Sequence, residues 1–323
     1  MVLMCGGRGG MPLVFQSRAM LNVLEQARRF ARTNATVLIC GESGVGKELV
    51  AHLLHTESTR SSQPYCRVNC AALAESLIES ELFGHEAGAF TGAIARRPGK
   101  FEAAGAGTLF LDEISEVATT FQSKLLRVLE ESEFERVGSN EPQPMRARVI
   151  AATNRPLAEL VEGGEFRADL FYRLDVLRLD VPALRDRKDD IPILAQHFVE
   201  RFRGDSLSGV RGFKAAAIRR LADYHWPGNV RQLRNVVHRA CVVARQDLID
   251  EGDLTSLETH VPDEHPVSLP FESMSLAEIE RRVILQRLEQ CRGNKTAAAA
   301  ALGVTAKTLR NKITEYRRLG YAS

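Results

Sequence analysis

Eight residues constrain this chain more than any others: GESGVGKE (41–48), preceded by the apolar run TVLIC (36–40). They fit the phosphate-binding loop pattern G-x-x-x-x-G-K. Glycines let the backbone turn so that successive N–H groups face phosphate oxygens, and the helix that follows adds its partial positive charge. Such a loop works where a buried strand delivers it and a helix leaves it, which commits the chain to an α/β arrangement. Lys47 is the residue expected to reach the β- and γ-phosphates of a nucleotide. Gly41, Glu42, Ser43, Gly44, Val45 and Gly46 complete the loop, and Glu48 stands where a magnesium-ligating hydroxyl is usual. Metal binding would then rest more on other groups and on water.

The second half of the site is GTLFLDE (107–113). Thr108 and the apolar Leu109, Phe110 and Leu111 form a buried strand that delivers Asp112 and Glu113 at its carboxyl end, where ligands of α/β folds collect. A DE pair at a strand end is often only a helix cap. About sixty residues after a phosphate loop, Asp112 is placed to hold Mg2+ and Glu113 to polarise an attacking water. Further strand-like runs are ARVIAATN (147–154) and DVLRLDV (175–181), with helical stretches between them, the first spanning Ser17 to Arg32. The alternation predicts a mainly parallel sheet. From Pro182 to about Leu254 the pattern reads as helical throughout, and HVPDEHPVSLP (260–270) reads as a linker.

Composition narrows the class. The 323 residues are 44% hydrophobic, enough for two or three domains with real cores. No run of eighteen apolar residues exists, so no membrane partner is expected. Six cysteines fall without a disulfide or zinc framework; Cys66 and Cys70 read as ordinary buried or half-buried thiols, which suits a cytoplasmic location. The net charge of +2 hides an asymmetry, because Ser273 onward carries ten Lys/Arg against four Glu. A basic tail is either a solvated face or a nucleic-acid footprint.

Between the two halves of the nucleotide site lies GHEAGAFTGA (84–93). Gly88 and Gly92 bracket a small apolar tip, Ala89, Phe90 and Thr91, followed by Ala93. Composition leaves a tight turn and a conditional partner contact level. Several motifs together tip the balance: GESGVGKE, RVNCAAL (67–73), ELFGHEAGAFTGA (81–93), GTLFLDE, FRADLFYRL (166–174) and WPGNVRQLRN (226–235). With these, the chain from about Leu13 to Leu254 resembles the AAA+ ATPase domain of NtrC-like activators of sigma-54 RNA polymerase. At average residue usage GAFTGA arises on the order of once in ten million positions.

The resemblance implies a set of roles. Asn69 would orient Glu113 according to nucleotide state, Thr153 and Asn154 would lie at the sensor strand, and Arg231 would report the nucleotide to a helical lid. Arg167 and Arg173 could pair locally with Asp169 and Asp175; the resemblance instead makes them arginine fingers reaching a neighbouring subunit in a hexameric ring. ATP and Mg2+ would be the cofactors. Gly88, Ala89, Phe90, Thr91, Gly92 and Ala93 would form the loop that engages sigma-54. Glu48 is usual in this family. ERVGSNEPQPMRAR (135–148) resembles the hairpin that flanks this loop.

The tail GNKTAAAAALGVTAKTLRNKITEYRRLG (293–320) reads as two helices around a turn, capped by Asn294 and Thr305 and broken at Gly303. Leu302, Val304, Leu309 and Ile313 would form its core, leaving Lys307, Thr308, Asn311 and Lys312 outward with Arg310 at the margin. It resembles a Fis-type helix-turn-helix that reads double-stranded enhancer DNA. The apolar stripe of Leu276 to Leu288 suits a dimer partner. The expected layout is a tail (1–12), an α/β ATPase subdomain (13–182), a helical lid (183–256), a linker (257–272) and the DNA-binding domain (273–323). With about a dozen residues before the ATPase domain, control is expected from a regulator acting in trans. A DNA-binding regulator without a remodelling stroke, or a AAA+ remodeller unrelated to transcription, would lack the reason for GAFTGA or for the basic tail.

Overall fold

The computed structural model describes residues 3–5, 13–72, 75–205 and 209–257, together with 281, 284, 287, 295, 298, 299, 304 and 306–318. Contacts divide the chain into two compact units, Met1–Thr259 and His260–Ser323.

The first unit opens with β1 (Leu3–Cys5) paired antiparallel to β2 (Leu13–Phe15), then α1 (Arg18–Ala31). Ser17 caps α1, its hydroxyl accepting from the Met20 amide at 3.3 Å. There follow β3 (Val37–Cys40), α2 (Lys47–Thr56), β4 (Tyr65–Asn69), α3 (Glu75–Phe83), β5 (Gly84–His85), β6 (Arg97–Pro98), α4 (Lys100–Ala104) and β7 (Thr108–Asp112). Then come α5 (Thr119–Glu131), β8 (Glu133–Glu135), β9 (Pro142–Pro144), β10 (Arg148–Thr153), α6 (Leu157–Glu162), α7 (Ala168–Leu174) and β11 (Leu177–Asp180). Five strands form one parallel sheet in the order β11-β3-β10-β7-β4.

Alternate residues of these strands face opposite sides. Leu38, Leu109, Leu111, Val149 and Ala151 pack with α3, α4 and α5 residues such as Leu82, Phe101 and Phe121. Val37, Ile39, Phe110, Ile150 and Ala152 pack with Leu24, Ala27, Val50 and Leu54 of α1 and α2. Both faces are therefore dry, which explains why the strands read as continuous apolar runs. The exceptions are the two edge strands, β11 (LRLD) and β4 (YCRVN), each with a single buried residue, Leu179 and Val68; sequence reading identified β11 but not β4 as a strand.

The lid comprises α8 (Asp190–Phe202), β12 (Gly212–Phe213), α9 (Ala215–Asp223), α10 (Asn229–Val243) and β13 (Leu248–Ile249). Its core gathers Leu194, Phe198, Leu221, Trp226, Leu233 and Val237, with Val14 of β2. The expectation of an all-helical segment needs one correction: β12 and β13 pair in parallel, two residues each, where main-chain bonds tie the α8–α9 connection to the segment after α10. No helix among the described residues is long and apolar enough to cross a membrane.

In the second unit, α11 (Ala306–Arg318) matches the second helix of the expected pair. Leu309, Ile313 and Tyr316 pack with Ile284, Ala298 and Ala299. Val304 is corrected: it is 40% exposed, in a bend where its amide donates to the Ala299 carbonyl. Lys307, Thr308 and Asn311 are exposed and Lys312 half-buried. Asn294, Leu302, Gly303, Thr305, most of Leu276–Leu288, the linker 260–270, Leu73 and the Arg310 side chain lie outside the described residues.

Candidate nucleotide site and surface loop

β3 ends at Cys40, and residues 41–46 turn back to start α2 at Lys47. The turn needs positive φ at Gly41 (155°), Gly44 (79°) and Gly46 (108°), a region closed to most side chains. At Gly44 a Cβ would also meet the Gly228 carbonyl oxygen at 2.6 Å. Lys47 is buried, its ammonium donating to the carbonyls of Gly41 (2.8 Å) and Glu42 (3.3 Å) and lying 3.5 Å from Glu113 Oε1.

Glu113 follows β7 in a left-handed conformation, φ 54° and ψ 52°. Its second oxygen, Oε2, is buried with no hydrogen-bond partner. Buried polar atoms are rarely orphaned, so this one is aimed at something the fold is built to receive. Asp112 lies beside it on β7; burial first, then the neighbouring Glu113 charge, raises its carboxyl above the usual range, while Lys47 pulls it back. Hard carboxylate oxygens beside a phosphate loop fit Mg2+, which characteristically takes one or two protein carboxylates and completes its shell with phosphates and water.

Asn69 is register-paired with Asp112 across β4 and β7. Its Oδ1 accepts from the amides of Ala71 (3.0 Å) and Ala72 (3.2 Å), fixing the turn after β4. Thr153 ends β10, buried, with its hydroxyl donating to the Arg155 carbonyl; Asn154 is exposed beside it. Glu48 pairs with Arg67 of β4. From the lid, Arg231 donates to Ser43 Oγ at 2.8 Å, so the expected sensor arginine already touches the loop.

Sequence reading missed several lid residues that hold the loop. Asn229 is fully buried at φ 49° and donates to Glu42 Oε2 (3.0 Å) and the Ser43 carbonyl (3.1 Å). Arg185 binds both Glu42 oxygens, and the Arg187 guanidinium donates to the Val45 carbonyl at 2.7 Å. The signal was present in LRDRKDD (184–190), whose two arginines follow a proline at the lid's entrance, and in the turn WPGN (226–229).

Arg167 and Arg173 flank and lie on α7, both exposed. Arg167 pairs with Asp169 at 2.7 Å; Arg173 donates instead to the Leu129 carbonyl at 2.5 Å.

The loop 84–99 leaves α3 and returns to α4 through a tight neck. A Cβ on Gly99 would lie 2.3 Å from the Gly84 amide nitrogen, and Gly84 itself has φ 77°. At the tip Phe90 is 42% exposed and meets His85 edge-on, with ring centroids 5.0 Å apart. Thr91 and Gly92 are exposed, Ala93 is buried, and the Gly88 amide donates to the Ala93 carbonyl. The β8–β9 hairpin flanks this loop: His85 bridges to Val137, and a Cβ on Gly138 would lie 2.8 Å from that of Ala89. Arg136 joins the two, bonded to Glu86 (3.1 Å) and Glu102 (2.5 Å).

Fold and site together define a phosphate-loop α/β protein with a helical lid. Comparison with known families takes this further. Residues 13–180 match the sigma-54 interaction domain, 185–267 the AAA+ ATPase lid domain, and 275–316 the Fis family of bacterial regulatory proteins. The chain belongs to the sigma-54 activator family. It is 48% identical over 302 residues to the transcriptional regulatory protein ZraR of Escherichia coli (strain K12), covering 94% of this chain and 68% of ZraR. It is 43% identical to FlbD of Caulobacter vibrioides, covering 96% and 71%. Among solved structures it resembles NtrX of Brucella abortus in complex with ADP, at TM-score 0.70 and 34% identity over 94% of this chain and 68% of NtrX. The NtrX complex with ATP matches equally well, at TM-score 0.70.

Proposed function

We propose that this protein is an ATP-hydrolysing activator that binds enhancer DNA and remodels the closed complex of sigma-54 RNA polymerase. The observation that carries the reading is the orphaned, buried Oε2 of Glu113, whose other carboxylate oxygen lies 3.5 Å from Lys47 of the phosphate loop. Backbone amides of residues 44–48 and the Lys47 ammonium hold the phosphates, and Asp112 holds Mg2+, which neutralises phosphate charge. Glu113 takes the proton of the attacking water. Asn69, one register position across from Asp112, sets where that carboxylate points, and Thr153, Asn154 and Arg231 sense the γ-phosphate.

Arg167 and Arg173 act on the nucleotide of the next subunit, so the working form is a hexameric ring, assembled from dimers. Their forked guanidinium suits charge spread over the transferring phosphoryl oxygens. Residues 88–93 form the sigma-54 contact, with Phe90 supplying apolar area and Thr91 a hydroxyl. The DNA surface is that of α11, with Lys307, Thr308, Arg310, Asn311 and Lys312. We place the ATPase subdomain at 13–182, its lid at 183–256 and the DNA-binding domain at 273–323.

The test is co-migration with purified sigma-54 in the presence of ADP and aluminium fluoride, beside Thr91→Ala. A complex formed by the native protein and lost in the variant supports the reading. Intact ATP hydrolysis with no complex overturns the sigma-54 assignment.

A further inference from the structure

All four loop residues from 42 to 45 are held by the lid or its entrance. Val45 receives Arg187, the Gly44 carbonyl receives the Val230 amide at 3.1 Å, and Ser43 receives Asn229 and Arg231. Glu42 supplies the only charge of the four, and its carboxylate faces the lid: Arg185 grips it with two bonds, at 2.8 and 2.5 Å, and Asn229 adds a third at 3.0 Å. Asn229 Oδ1 in turn accepts from the Leu184 amide at 2.8 Å, so one buried side chain ties the loop, the lid's entrance and the start of α10 together. A carboxylate turned toward a triphosphate would repel it. Held by a guanidinium on the other side, it does not.

We propose that Glu42 is a positioning residue, a latch by which the phosphate loop holds the lid closed through Arg185 and Asn229. This rests on the reading of the loop as a nucleotide site. The environment explains why the latch can open. Arg185 and Glu42 remain 40% and 41% exposed, so water and salt take over when they part. Arg187 and Asp190, on the same junction, are 2% and 0% exposed, and parting them would strand a charge in a dry interior. One pair is the permanent pivot; the other is the releasable catch. The Arg185 bonds hold the Glu42 carboxyl below its usual range, so the latch stays charged at neutral pH.

The experiment uses the full chain as native protein, Glu42→Ala, Glu42→Gln, Arg185→Ala and the Glu42→Ala/Arg185→Ala double variant. Hydrogen exchange of the amides of residues 229–233 is measured without nucleotide, and release of a fluorescent ADP analogue is timed. Each alanine variant raises exchange and release roughly tenfold, in the range of a lost charge-assisted bond. The double variant is no worse than Glu42→Ala, which already loses the bonds to both Arg185 and Asn229, and Glu42→Gln, which keeps an acceptor for Asn229, falls between native and Glu42→Ala. Release from the native protein quickens with added salt, and that dependence shrinks in the double variant. Unchanged exchange at 229–233, or additive effects of the two substitutions, overturns the latch. Weaker ADP binding with unchanged exchange returns Glu42 to the phosphate site. A native protein that binds no ADP analogue refutes the nucleotide reading, while the exchange data still decide the latch.

Discussion

The Lys47 ammonium stands 3.5 Å from Oε1 of Glu113, while Oε2 of the same carboxylate is buried without a partner. One oxygen is held and the other left available, which is the arrangement a positioned base requires. Glu113→Gln preserves shape and removes the base. ATP turnover is expected to fall by about 10²–10⁴-fold, with the affinity for an ADP analogue close to native. Steady-state phosphate release and equilibrium binding check the two halves.

Arg167 spends its guanidinium on Asp169 in the single chain, an exposed pair that is easily given up. Arg167→Ala is expected to leave thermal unfolding of the chain in place and to lower ATP turnover by roughly 10³-fold. Mixing it with Glu113→Gln should restore part of the activity, because each variant lacks what the other supplies across a subunit boundary. Turnover that stays at the level of the separate variants would argue for an arginine acting within its own chain.

Gly138 touches the tip of the GAFTGA loop through Ala89, at φ 83°. Gly138→Val introduces a side chain into a 2.8 Å gap and strains the backbone. The expected result is loss of the sigma-54 complex trapped with ADP and aluminium fluoride, with phosphate release retained within a few-fold. A loss of both activities would place the damage in the sheet.

Asp190 is fully buried and accepts from the amides of Gln16 and Ser17 at 2.6 and 2.7 Å and from the Ser17 hydroxyl at 2.9 Å. Asp190→Ala strands the buried Arg187 and is expected to destabilise this unit by about 3–5 kcal/mol. Urea titration followed by the fluorescence of Trp226, the chain's single tryptophan and fully buried in the lid core, reads it directly.

His55 is buried against the Thr108 hydroxyl at 2.9 Å, and burial, then the neighbouring His52, lowers its pKa from the ordinary 6.5. Below that value the unfolded chain takes up a proton that the folded chain still refuses. Stability is therefore fully present above pH 6.5 and is lost as pH falls through the folded value. His55→Gln should flatten that part of the stability–pH curve.

What the sequence disclosed follows from how local its signals are. The phosphate loop and β7 were legible because glycines at fixed offsets and three consecutive large apolar residues each have one reading. β4 was not, since YCRVN lacks the alternation of leucine with charge by which the other edge strand, β11, was legible. The lid's grip on the loop escaped for a different reason: Glu42 and Asn229 are 187 residues apart, and neither position is unusual until the chain brings them together. Val304 shows the converse, an apolar residue assigned to a core that the turn directs outward.

The neck of the GAFTGA loop has a consequence for how this surface changes over generations. Gly84 and Gly99 bring the two ends of the excursion within a backbone's width, so everything between them is, mechanically, a closed insertion between α3 and α4. Its length and tip residues can drift without disturbing strand register. The two glycines cannot, since a single methyl group at either would pry the ends apart. Recognition is thus free to diversify at the tip while the anchorage is held to one residue type at each side.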